Sequence, residues 1–347
     1  MKYIYLLLIF IIISNAPANL NKNQTHFENF NYEVEIKNNI YDVNDSAHFK
    51  YYENSSHILH WYEWWYANIK NEEKSIITMF FTFGNLNNPL MSIVGVFVAI
   101  FDRNDSIEMI TCYPFIEYNL DYEKCNVSIA GNKFYEENGK FVIEYEKSGT
   151  KILMNMSSHG KPFGSVTSTG EWQWAGWYVA VPYGKGRAIV NYNGEEYEIK
   201  GNAYHDHNWG ISRKRHFIWD WGEFAIDNGT IIYGVAGEDE MKGGIHFVNK
   251  TKHIFVPYGK LKIDYIEWRR ISGFKKPTKL RLYGKNENIS IDMYVEMDRT
   301  YIIGYKNIGK PYLFGRAYGI LNINGKIISI DSKGFYEHHG NIKIFSQ

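Results

Sequence analysis

The chain has 347 residues, and its 38 lysine and arginine residues balance 38 aspartate and glutamate residues, so the net charge is close to zero. Without a basic surplus the chain has no general attraction for nucleic acid or anionic lipid, and neither partner is expected. Aromatic residues make up 17% of the sequence. A chain of this length and aromatic content can bury a large apolar core.

The N-terminus has the pattern of a secretory signal peptide. Met1-Lys2 is a short positive region, Tyr3 to Ile13 is an apolar run too short to span a bilayer, and Ala16-Pro17-Ala18 has the form of a cleavage site. We expect residues 1–18 to be removed and the mature protein to be secreted or otherwise extracytoplasmic, without a membrane span. An uncleaved N-terminal anchor is the alternative.

Nine N-x-S/T sequons support export, because asparagine is glycosylated outside the cytosol. Chance predicts roughly three sequons for this composition. The sequon asparagines are Asn23, Asn44, Asn54, Asn104, Asn126, Asn155, Asn228, Asn249 and Asn288. We therefore expect a glycoprotein. Its two cysteines, Cys112 and Cys125, either close one local loop or remain buried thiols.

Beyond residue 50 the sequence is typical of an all-β protein. Residues 19–50 are polar and asparagine-rich, and we interpret them as a loosely ordered leader with an edge strand at Tyr32 to Ile36. Short β-branched and aromatic runs between turn signals then follow, and long helical periodicity is absent. The predicted strands are Ser75–Phe83, Ser92–Phe101, Lys140–Glu146, Lys151–Met156, Trp172–Val181, Gly186–Tyr192, Glu195–Ile199, Thr230–Val235, His253–Val256, Lys260–Trp268, Lys279–Tyr283, Ser290–Glu296, Gly315–Ile323 and Lys326–Ile330.

Two short phrases occur twice in the same order, and this self-similarity predicts a duplicated domain. The first phrase runs from Glu63 to Ile69 and is followed by a polar turn and Ile76-Ile77. Its counterpart runs from Trp219 to Ile226 and is followed by Ile231-Ile232.

The second phrase closes each unit. Tyr204 to His207 returns 131 residues later as Phe335 to His338, and the hairpin signal Asn193-Gly194 returns at the same offset as Asn324-Gly325. Two antiparallel β-barrels, each closing its own edge strands, satisfy both the repeat and the number of strands. The predicted barrels cover residues 51–210 and 211–347.

The closing strand of the first unit places its chemistry on one face. Strand side chains alternate between faces, and the face that begins with Ile199 goes on to carry His205, His207 and Trp209. Because this face begins with apolar residues, we expect it to point into the core or lumen. A β-bulge in the strand would exchange the two faces.

Three interpretations of the two histidines stay open. Histidines at positions i and i+2 of a strand can bind a metal such as zinc, but the spacing reveals no third ligand, and no metal or other cofactor is predicted. The second interpretation is a pair of core histidines held by hydrogen bonds. The third is a general acid or base that lines an apolar cavity.

Three carboxyl groups lie near these aromatic phrases. Asp206, on the other face of the histidine strand, is expected to orient its neighbours or cap a turn. Asp220 lies between Trp219 and Trp221, where desolvation would raise its pKa and keep a proton available. A salt-bridged surface aspartate is the alternative. The same two interpretations apply to Glu63, which precedes a tryptophan pair.

Glu63-Trp64-Trp65-Tyr66 and the run Y-H-D-H-N-W-G from Tyr204 to Gly210 resemble the two signatures of the lipocalin-like carotenoid 1,2-hydratase (hydroxyneurosporene synthase) and AttH superfamily. The resemblance spans about Tyr51 to Gly340. It implies two tandem lipocalin-like barrels. Activities in this superfamily include water addition to isoprenoid double bonds, and related fungal proteins hydrate phenolic prenyl groups or direct the cyclisation of polyenes.

The resemblance implies His207 and Trp209 as site residues, with Tyr204 and Asp206 adjacent. Trp209 would hold a tertiary cation against its aromatic face, His207 would position or deprotonate water, and Asp220 is the best candidate for the proton donor. The remaining candidates, all for ligand binding, are Glu63, Trp64, Trp65, Tyr66, His205, Trp219 and Trp221.

The sequence contains no G-x-S-x-G, phosphate loop, G-x-G-x-x-G or H-E-x-x-H, so nucleophilic hydrolysis, nucleotide binding and zinc proteolysis lack support. We expect a protein that acts on a small hydrophobic isoprenoid or polyene molecule, by acid-catalysed hydration or cyclisation of a double bond, and is then a hydro-lyase. The alternatives are a non-catalytic carrier of a lipophilic ligand and a structural surface glycoprotein.

Overall fold

The computed structural model describes residues 43–102, 106–113, 116–170, 172–213, 218–237, 241–287, 289–303 and 310–339. The protein is nearly all β and consists of two curled antiparallel half-barrel sheets, which confirms the predicted tandem lipocalin-like fold. Within the described ranges the helical segments are α1 (Phe49–Tyr52) and 3₁₀ turns at Ile58–His60, Pro89–Met91 and Tyr258–Lys260. None of these helices is long and apolar enough to cross a bilayer.

The first sheet has twelve strands in the order β4-β3-β2-β1-β12-β11-β9-β8-β7-β6-β5, and β10 pairs with β11. Its strands are β1 (Trp61–Lys70), β2 (Ser75–Gly84), β3 (Ser92–Phe101), β4 (Ser106–Tyr113), β5 (Tyr118–Leu120), β6 (Asn126–Ile129), β7 (Asn132–Glu137), β8 (Lys140–Lys147), β9 (Thr150–Ser158), β10 (Phe163–Gly170), β11 (Gln173–Tyr192) and β12 (Glu195–Ile211).

The second sheet has nine strands in the order β16-β15-β14-β13-β21-β20-β19-β18-β17. Its strands are β13 (Ile218–Ile226), β14 (Gly229–Gly237), β15 (Lys242–Val248), β16 (His253–Pro257), β17 (Leu261–Ile271), β18 (Phe274–Asn286), β19 (Ile289–Ile303), β20 (Lys310–Ile323) and β21 (Lys326–His339). In the first sheet, β1 carries the first repeated phrase and pairs with β2 on one side and β12 on the other. In the second sheet, β13 pairs with β14 and β21 in the same way.

The two predicted hairpins have the same backbone geometry. Asn193 and Gly194 join β11 to β12 with φ values of 53° and 85°, and Asn324 and Gly325 join β20 to β21 with φ values of 52° and 83°. Positive φ at both central residues defines a type I′ turn, whose twist matches the flanking strands. The repeat therefore fixes the same closing hairpin twice.

The register extends this equivalence to the closing histidines. On β12, His207 lies opposite Trp65 of β1. On β21, His338 lies opposite Asp220 of β13. The two histidines occupy matching positions, 131 residues apart, but their cross-strand neighbours differ.

The buried apolar side chains form three clusters. The lumen of each sheet contains one of these clusters, centred on residues such as Trp65 and Phe80 in the first sheet and Phe224 and Leu282 in the second. The third cluster includes residues of both sheets, so the sheets pack against each other through the faces opposite their lumens. A strand that borders this contact is therefore buried on both sides.

The segment from residue 43 to residue 52 fills part of the first lumen. Ala47 and Phe49 are fully buried in its apolar cluster, whereas the sequence suggested a loosely ordered leader up to residue 50. Cys125 is a buried, free thiol, which favours the thiol alternative over a disulfide. The predicted signal peptide and the edge strand at Tyr32 to Ile36 lie outside the described residues.

Candidate functional site

Both faces of β12 carry polar side chains into the interior. His205, His207 and Trp209 point into the first lumen and are at most 1% exposed, so the predicted inward face is confirmed. Tyr204 and Asp206, on the other face, are also buried. That second face is covered by the second sheet, and Asp206 is neither a turn cap nor a surface residue.

Five buried titratable side chains from β12, β1 and the segment before β1 meet in the first lumen. We call them the lumen cluster: Asp45, His48, Glu63, His205 and His207. In one half of it, His205 Nε2 lies 2.7 Å from Asp45 Oδ2, and His205 Nδ1 lies 2.8 Å from the Tyr66 carbonyl oxygen. A carbonyl only accepts, so Nδ1 carries a proton and donates it. Nε2 faces a carboxylate oxygen, which also only accepts, so a second proton on Nε2 satisfies both nitrogens of His205.

The other half of the lumen cluster is built around one oxygen of Glu63. Glu63 Oε1 accepts the backbone N–H of His48 at 2.6 Å and lies 3.1 Å from His207 Nε2 and 3.4 Å from His48 Nδ1. The second oxygen, Oε2, has no hydrogen-bond partner among the described residues. One carboxyl group thus joins two imidazoles in a fully buried environment.

Tryptophan rings hold these imidazoles in place. Trp65 stacks on His207 with ring centroids 4.4 Å apart, and Trp209 stacks on His48 at 3.9 Å with nearly parallel planes. The Trp209 ring lies directly over Gly176 of β11, where a Cβ atom would be 2.3 Å from the indole. Any larger residue at Gly176 would displace the ring.

Burial and neighbouring charges have opposite effects on the pKa values of the lumen cluster. Burial raises the pKa of Glu63, but its hydrogen bond with His207 and the two adjacent imidazoles outweigh burial and lower it. Burial lowers the pKa of His207 below its ordinary value despite Glu63. For His205, burial is outweighed by the Asp45 carboxylate, so the pKa is raised.

The opposite face of the first sheet packs against the second sheet. Its outer row consists of Trp64, Asn208 and Trp177, which are neighbours on β1, β12 and β11 and are each half-buried. The next row inward contains Tyr66 and Asp206, both buried. Asp206 therefore lies one row below aromatic side chains that solvent reaches.

Asp206 receives three hydrogen bonds. Tyr204 Oη donates to Asp206 Oδ2 at 2.7 Å, Trp177 Nε1 donates to the same oxygen at 2.9 Å, and Asn208 Nδ2 donates to Oδ1 at 3.0 Å. Burial raises the pKa of Asp206 to about 6, although the Tyr204 and Trp177 hydrogen bonds oppose it. The carboxyl group can therefore hold or release a proton near neutral pH.

Trp221 of the second sheet forms the facing wall. Its indole Nε1 donates to Tyr204 Oη at 3.2 Å, and its ring centroid lies 5.4 Å from that of Tyr204 and 5.7 Å from that of Tyr66. We call the set Trp64, Tyr66, Trp177, Tyr204, Asp206, Asn208 and Trp221 the inter-sheet groove. It combines a buried carboxyl group with three indole rings.

A buried ion pair lies on the same face, deeper between the sheets. Lys70 Nζ of β1 bonds Glu223 Oε1 of β13, and both side chains are at most 3% exposed. Asn68 Nδ2 donates to the same Glu223 oxygen at 3.2 Å, and its Oδ1 accepts from Lys70 at 3.2 Å. These contacts fix the position of the second sheet on the first.

Asp220 does not belong to either site. Strand alternation on β13 turns Asp220 into the second lumen, while Trp219 and Trp221 point to the other face, so the indoles do not surround this carboxyl group. Asp220 instead accepts a hydrogen bond from Tyr265 Oη at 2.5 Å and lies 2.9 Å from His338 Nδ1. The proposed grouping of Asp220 with His207 and Trp209 is therefore wrong.

The twelve predicted residues divide among four places. The lumen of the first sheet receives Glu63, Trp65, His205, His207 and Trp209, and the inter-sheet groove receives Trp64, Tyr66, Tyr204, Asp206 and Trp221. Asp220 lies in the second lumen, and Trp219 stacks on His339 at 3.9 Å. Sequence reasoning missed Asp45, His48 and Trp177.

The missed residues carry different amounts of signal in the sequence. Trp177 lies in a predicted strand, and pairing that strand with Y-H-D-H-N-W-G would have placed its indole beside the Asp206 face. Asp45 and His48 lie in a polar segment without periodicity, and only the folded structure shows that they contact His205 and Glu63 in the lumen.

Comparison with known proteins supports the fold. No family model matches the sequence, and no curated protein matches it. The structure is similar to that of a candidate AttH from Nitrosomonas europaea, with a TM-score of 0.60 at 13% identity over 94% of this chain and 100% of the other. It is also similar to CghA, with a TM-score of 0.57 at 7% identity over 81% of this chain and 88% of the other. At these identities the likeness establishes an AttH-like lipocalin fold alone.

Proposed function

We propose that the protein binds a hydrophobic isoprenoid or polyene molecule in the inter-sheet groove and protonates one of its double bonds. The observation that supports this most directly is the position of Asp206. Asp206 is 4% exposed, accepts hydrogen bonds from Tyr204 and Trp177, and lies one row beneath half-buried indole rings. An extended apolar ligand along Trp64 and Trp177 would bring a double bond toward this acid.

The groove contains what the reaction needs. The O–H bond of protonated Asp206 breaks as the alkene π electrons form a new C–H bond, which leaves a tertiary carbocation and the Asp206 carboxylate. The faces of Trp177 and Trp221 stabilise the cation. In hydration, water adds to the cation and returns a proton to Asp206. In cyclisation, a second double bond of the ligand adds to the cation, and loss of a proton to Asp206 completes the reaction.

The first lumen argues against simple carriage of the ligand inside it. The first lumen contains the lumen cluster, and residues 45–49 are buried within it. A carrier lumen for an apolar ligand would be lined by apolar side chains. The inter-sheet groove, by contrast, is rich in aromatic side chains, and its outer residues Trp64 and Trp177 are half-buried.

The test is turnover of a linear isoprenoid alcohol with a terminal isopropylidene group in D₂O. Protonation by the enzyme predicts a product with one deuterium on the carbon that gains hydrogen, read by mass spectrometry. Asp206→Asn should lower turnover by about 10² to 10⁴-fold, the range for a general acid, while ligand binding, followed by tryptophan fluorescence, is retained. Glu196→Gln, an exposed change on the same face of β12, is the matched control.

The other outcomes assign the alternatives. Binding without turnover in the wild-type protein would indicate a carrier of the ligand. If a panel of isoprenoids and polyenes gave neither binding nor turnover, a structural surface glycoprotein would be the remaining interpretation. Equal turnover by wild type and Asp206→Asn would remove Asp206 as the acid.

We also infer export and glycosylation from the signal-peptide pattern and the sequons. The sequon asparagines among the described residues all have surface access, and Asn54 and Asn228 are exposed. A shift in mass after enzymatic deglycosylation of the protein from its native source would test this inference.

A further inference from the structure

Three side chains from distant parts of the sequence meet in the first lumen with the spacing of metal ligands. His48, Glu63 and His207 are at most 2% exposed, and one ligand atom from each lies within 4.8 Å of the others. Metal–ligand bonds of about 2.0–2.1 Å in a tetrahedron separate neighbouring ligand atoms by about 3.3 Å. The distances from Glu63 Oε1 to His207 Nε2 and His48 Nδ1 are 3.1 and 3.4 Å.

The orientation of His207 presents a lone pair to Glu63. His207 Nδ1 lies 3.3 Å from the carbonyl oxygen of Asn44, and because a carbonyl only accepts, Nδ1 carries the proton. In a neutral imidazole the other nitrogen, Nε2, then has a lone pair, which faces a carboxylate oxygen. Two lone pairs at this distance need a proton or a cation between them, and a backbone carbonyl on the outer nitrogen is the usual support of a metal-bound histidine.

His48 adds two ring nitrogens that make no hydrogen bond within the described part of the chain. Neither Nδ1 nor Nε2 has a hydrogen-bond partner among the described residues, although the side chain is 2% exposed. Nδ1 is near Glu63 but is not aligned for a hydrogen bond with it. A buried imidazole normally satisfies its polar atoms. The His48 ring lies flat on Trp209, neither of its nitrogens is hydrogen-bonded to a residue that the structure describes, and Nδ1 lies 3.4 Å from Glu63 Oε1, which together indicate a ligand shared with Glu63.

We propose that His48, Glu63 and His207 bind one divalent transition-metal ion of the zinc class in the first lumen. Two histidines and a carboxylate are a common donor set for zinc and leave a fourth position for water or a small anion. The neighbouring set Asp45, Cys125 and His205 is also compact. However, His205 Nε2 lies only 2.7 Å from Asp45 Oδ2, which is the distance of a direct charge-assisted hydrogen bond, whereas neither nitrogen of His48 is hydrogen-bonded within the described ranges. This site lies on the other side of the sheet from the inter-sheet groove and is independent of the proposed function.

The experiment is a titration of chelator-treated full-length protein with Zn²⁺ by calorimetry, and with Co²⁺ by visible absorption. We expect one ion per chain and the visible bands of a four-coordinate Co²⁺ site. His48→Ala and the near-isosteric Glu63→Gln should each weaken Zn²⁺ binding by more than about 100-fold, since even outer-shell partners contribute 10- to 100-fold. His338→Ala, at the matching position of the second sheet, should bind Zn²⁺ as the wild type does.

Thermal melting keeps the test decisive if a variant folds poorly. An ion that binds only the folded state raises the melting temperature, so Zn²⁺ should raise it in wild type and His338→Ala but not in folded Glu63→Gln. Absence of stoichiometric Zn²⁺ binding to wild type would overturn the proposal. Binding that survives both His48→Ala and Glu63→Gln, or that is lost in Cys125→Ser alone, would also overturn it, because the ion would then lie elsewhere.

Discussion

Replacing Lys70 by methionine should strongly destabilise the protein, whereas replacing Lys70 and Glu223 together should not. The two charges form an ion pair between the sheets and are 3% and 1% exposed. Burial lowers the pKa of Lys70 and raises the pKa of Glu223, although each charge opposes the shift of the other. Removal of one partner leaves the other charge buried, with Asn68 as the hydrogen-bond partner for Glu223.

The size of this destabilisation follows from two opposing effects, the attraction between the charges and the cost of burying them. Opposite charges about 4 Å apart attract by about 4 kcal/mol at an effective dielectric constant of about 20. The cost of desolvating both groups is of similar size, so the intact pair contributes little net stability. Lys70→Met alone should lower the free energy of unfolding by about 3–5 kcal/mol, and the double change Lys70→Met with Glu223→Met should recover most of that loss.

Guanidinium unfolding followed by tryptophan fluorescence measures these differences as a double-mutant cycle. The control is Lys151→Met, which removes an exposed pair with Glu146 on the surface of the first sheet and should leave the midpoint unchanged. Losses that simply add in the double variant would show that the two charges do not stabilise each other, and the argument from burial would fail.

Three further predictions test other parts of the structure. Burial and the adjacent His253 lower the pKa of His246 to about 3. The stability that neutral His246 contributes is complete above the unfolded-state pKa of about 6.5 and falls by about 2 kcal/mol at pH 5, because the unfolded chain binds the proton first. His246→Leu should therefore flatten the pH dependence of the unfolding free energy between pH 7 and 5. Gly234→Ala would put a Cβ atom 2.6 Å from the Trp177 ring and should lower the unfolding free energy by about 1–3 kcal/mol. The control Gly259→Ala, whose Cβ atom would lie in open space, should leave it unchanged. Equal unfolding midpoints for the two variants would refute the contact between the sheets at Gly234.

The third of these concerns aromatic packing in the lumen. Gly176→Ala should displace Trp209, because its Cβ atom would lie 2.3 Å from the indole. The displacement should destabilise the protein by about 1–3 kcal/mol and change the near-ultraviolet circular dichroism. An unchanged spectrum and unfolding midpoint would show that the ring has room to move.

The fold was predictable because each local signal agreed with the others. The Asn-Gly pairs at 193 and 324 determine the turn by their backbone preference, and the repeat requires the same pairing in both units. The segment around Asp45 and Phe49 was not predictable in this way. It has no periodic pattern, and its order comes from the lumen, through contacts such as Asp45 with His205 and the burial of Phe49.

The site was predictable to the extent that one strand determines it. Period-two alternation correctly placed His205 and His207 on an inward face. It could not reveal that a second sheet covers the opposite face, so the burial of Asp206, which was expected to orient its neighbours or cap a turn, was not predicted. The error over Asp220 has a related cause: neighbours in sequence on a strand point to opposite faces, so the flanking tryptophans are not its environment.

The same alternation makes the two proposed sites separable. Asp206 and His207 are adjacent in sequence, yet one side chain lies in the inter-sheet groove and the other in the first lumen. Since the strand between them is held by regular pairing with β1, an isosteric change on one face should not move the other. Asp206→Asn should therefore lower deuterium transfer by about 10² to 10⁴-fold and bind Zn²⁺ with wild-type affinity, measured by the same calorimetric titration. If Asp206→Asn lost Zn²⁺ binding while remaining folded, the two faces would be coupled, and the assignment of separate sites to one strand would be wrong.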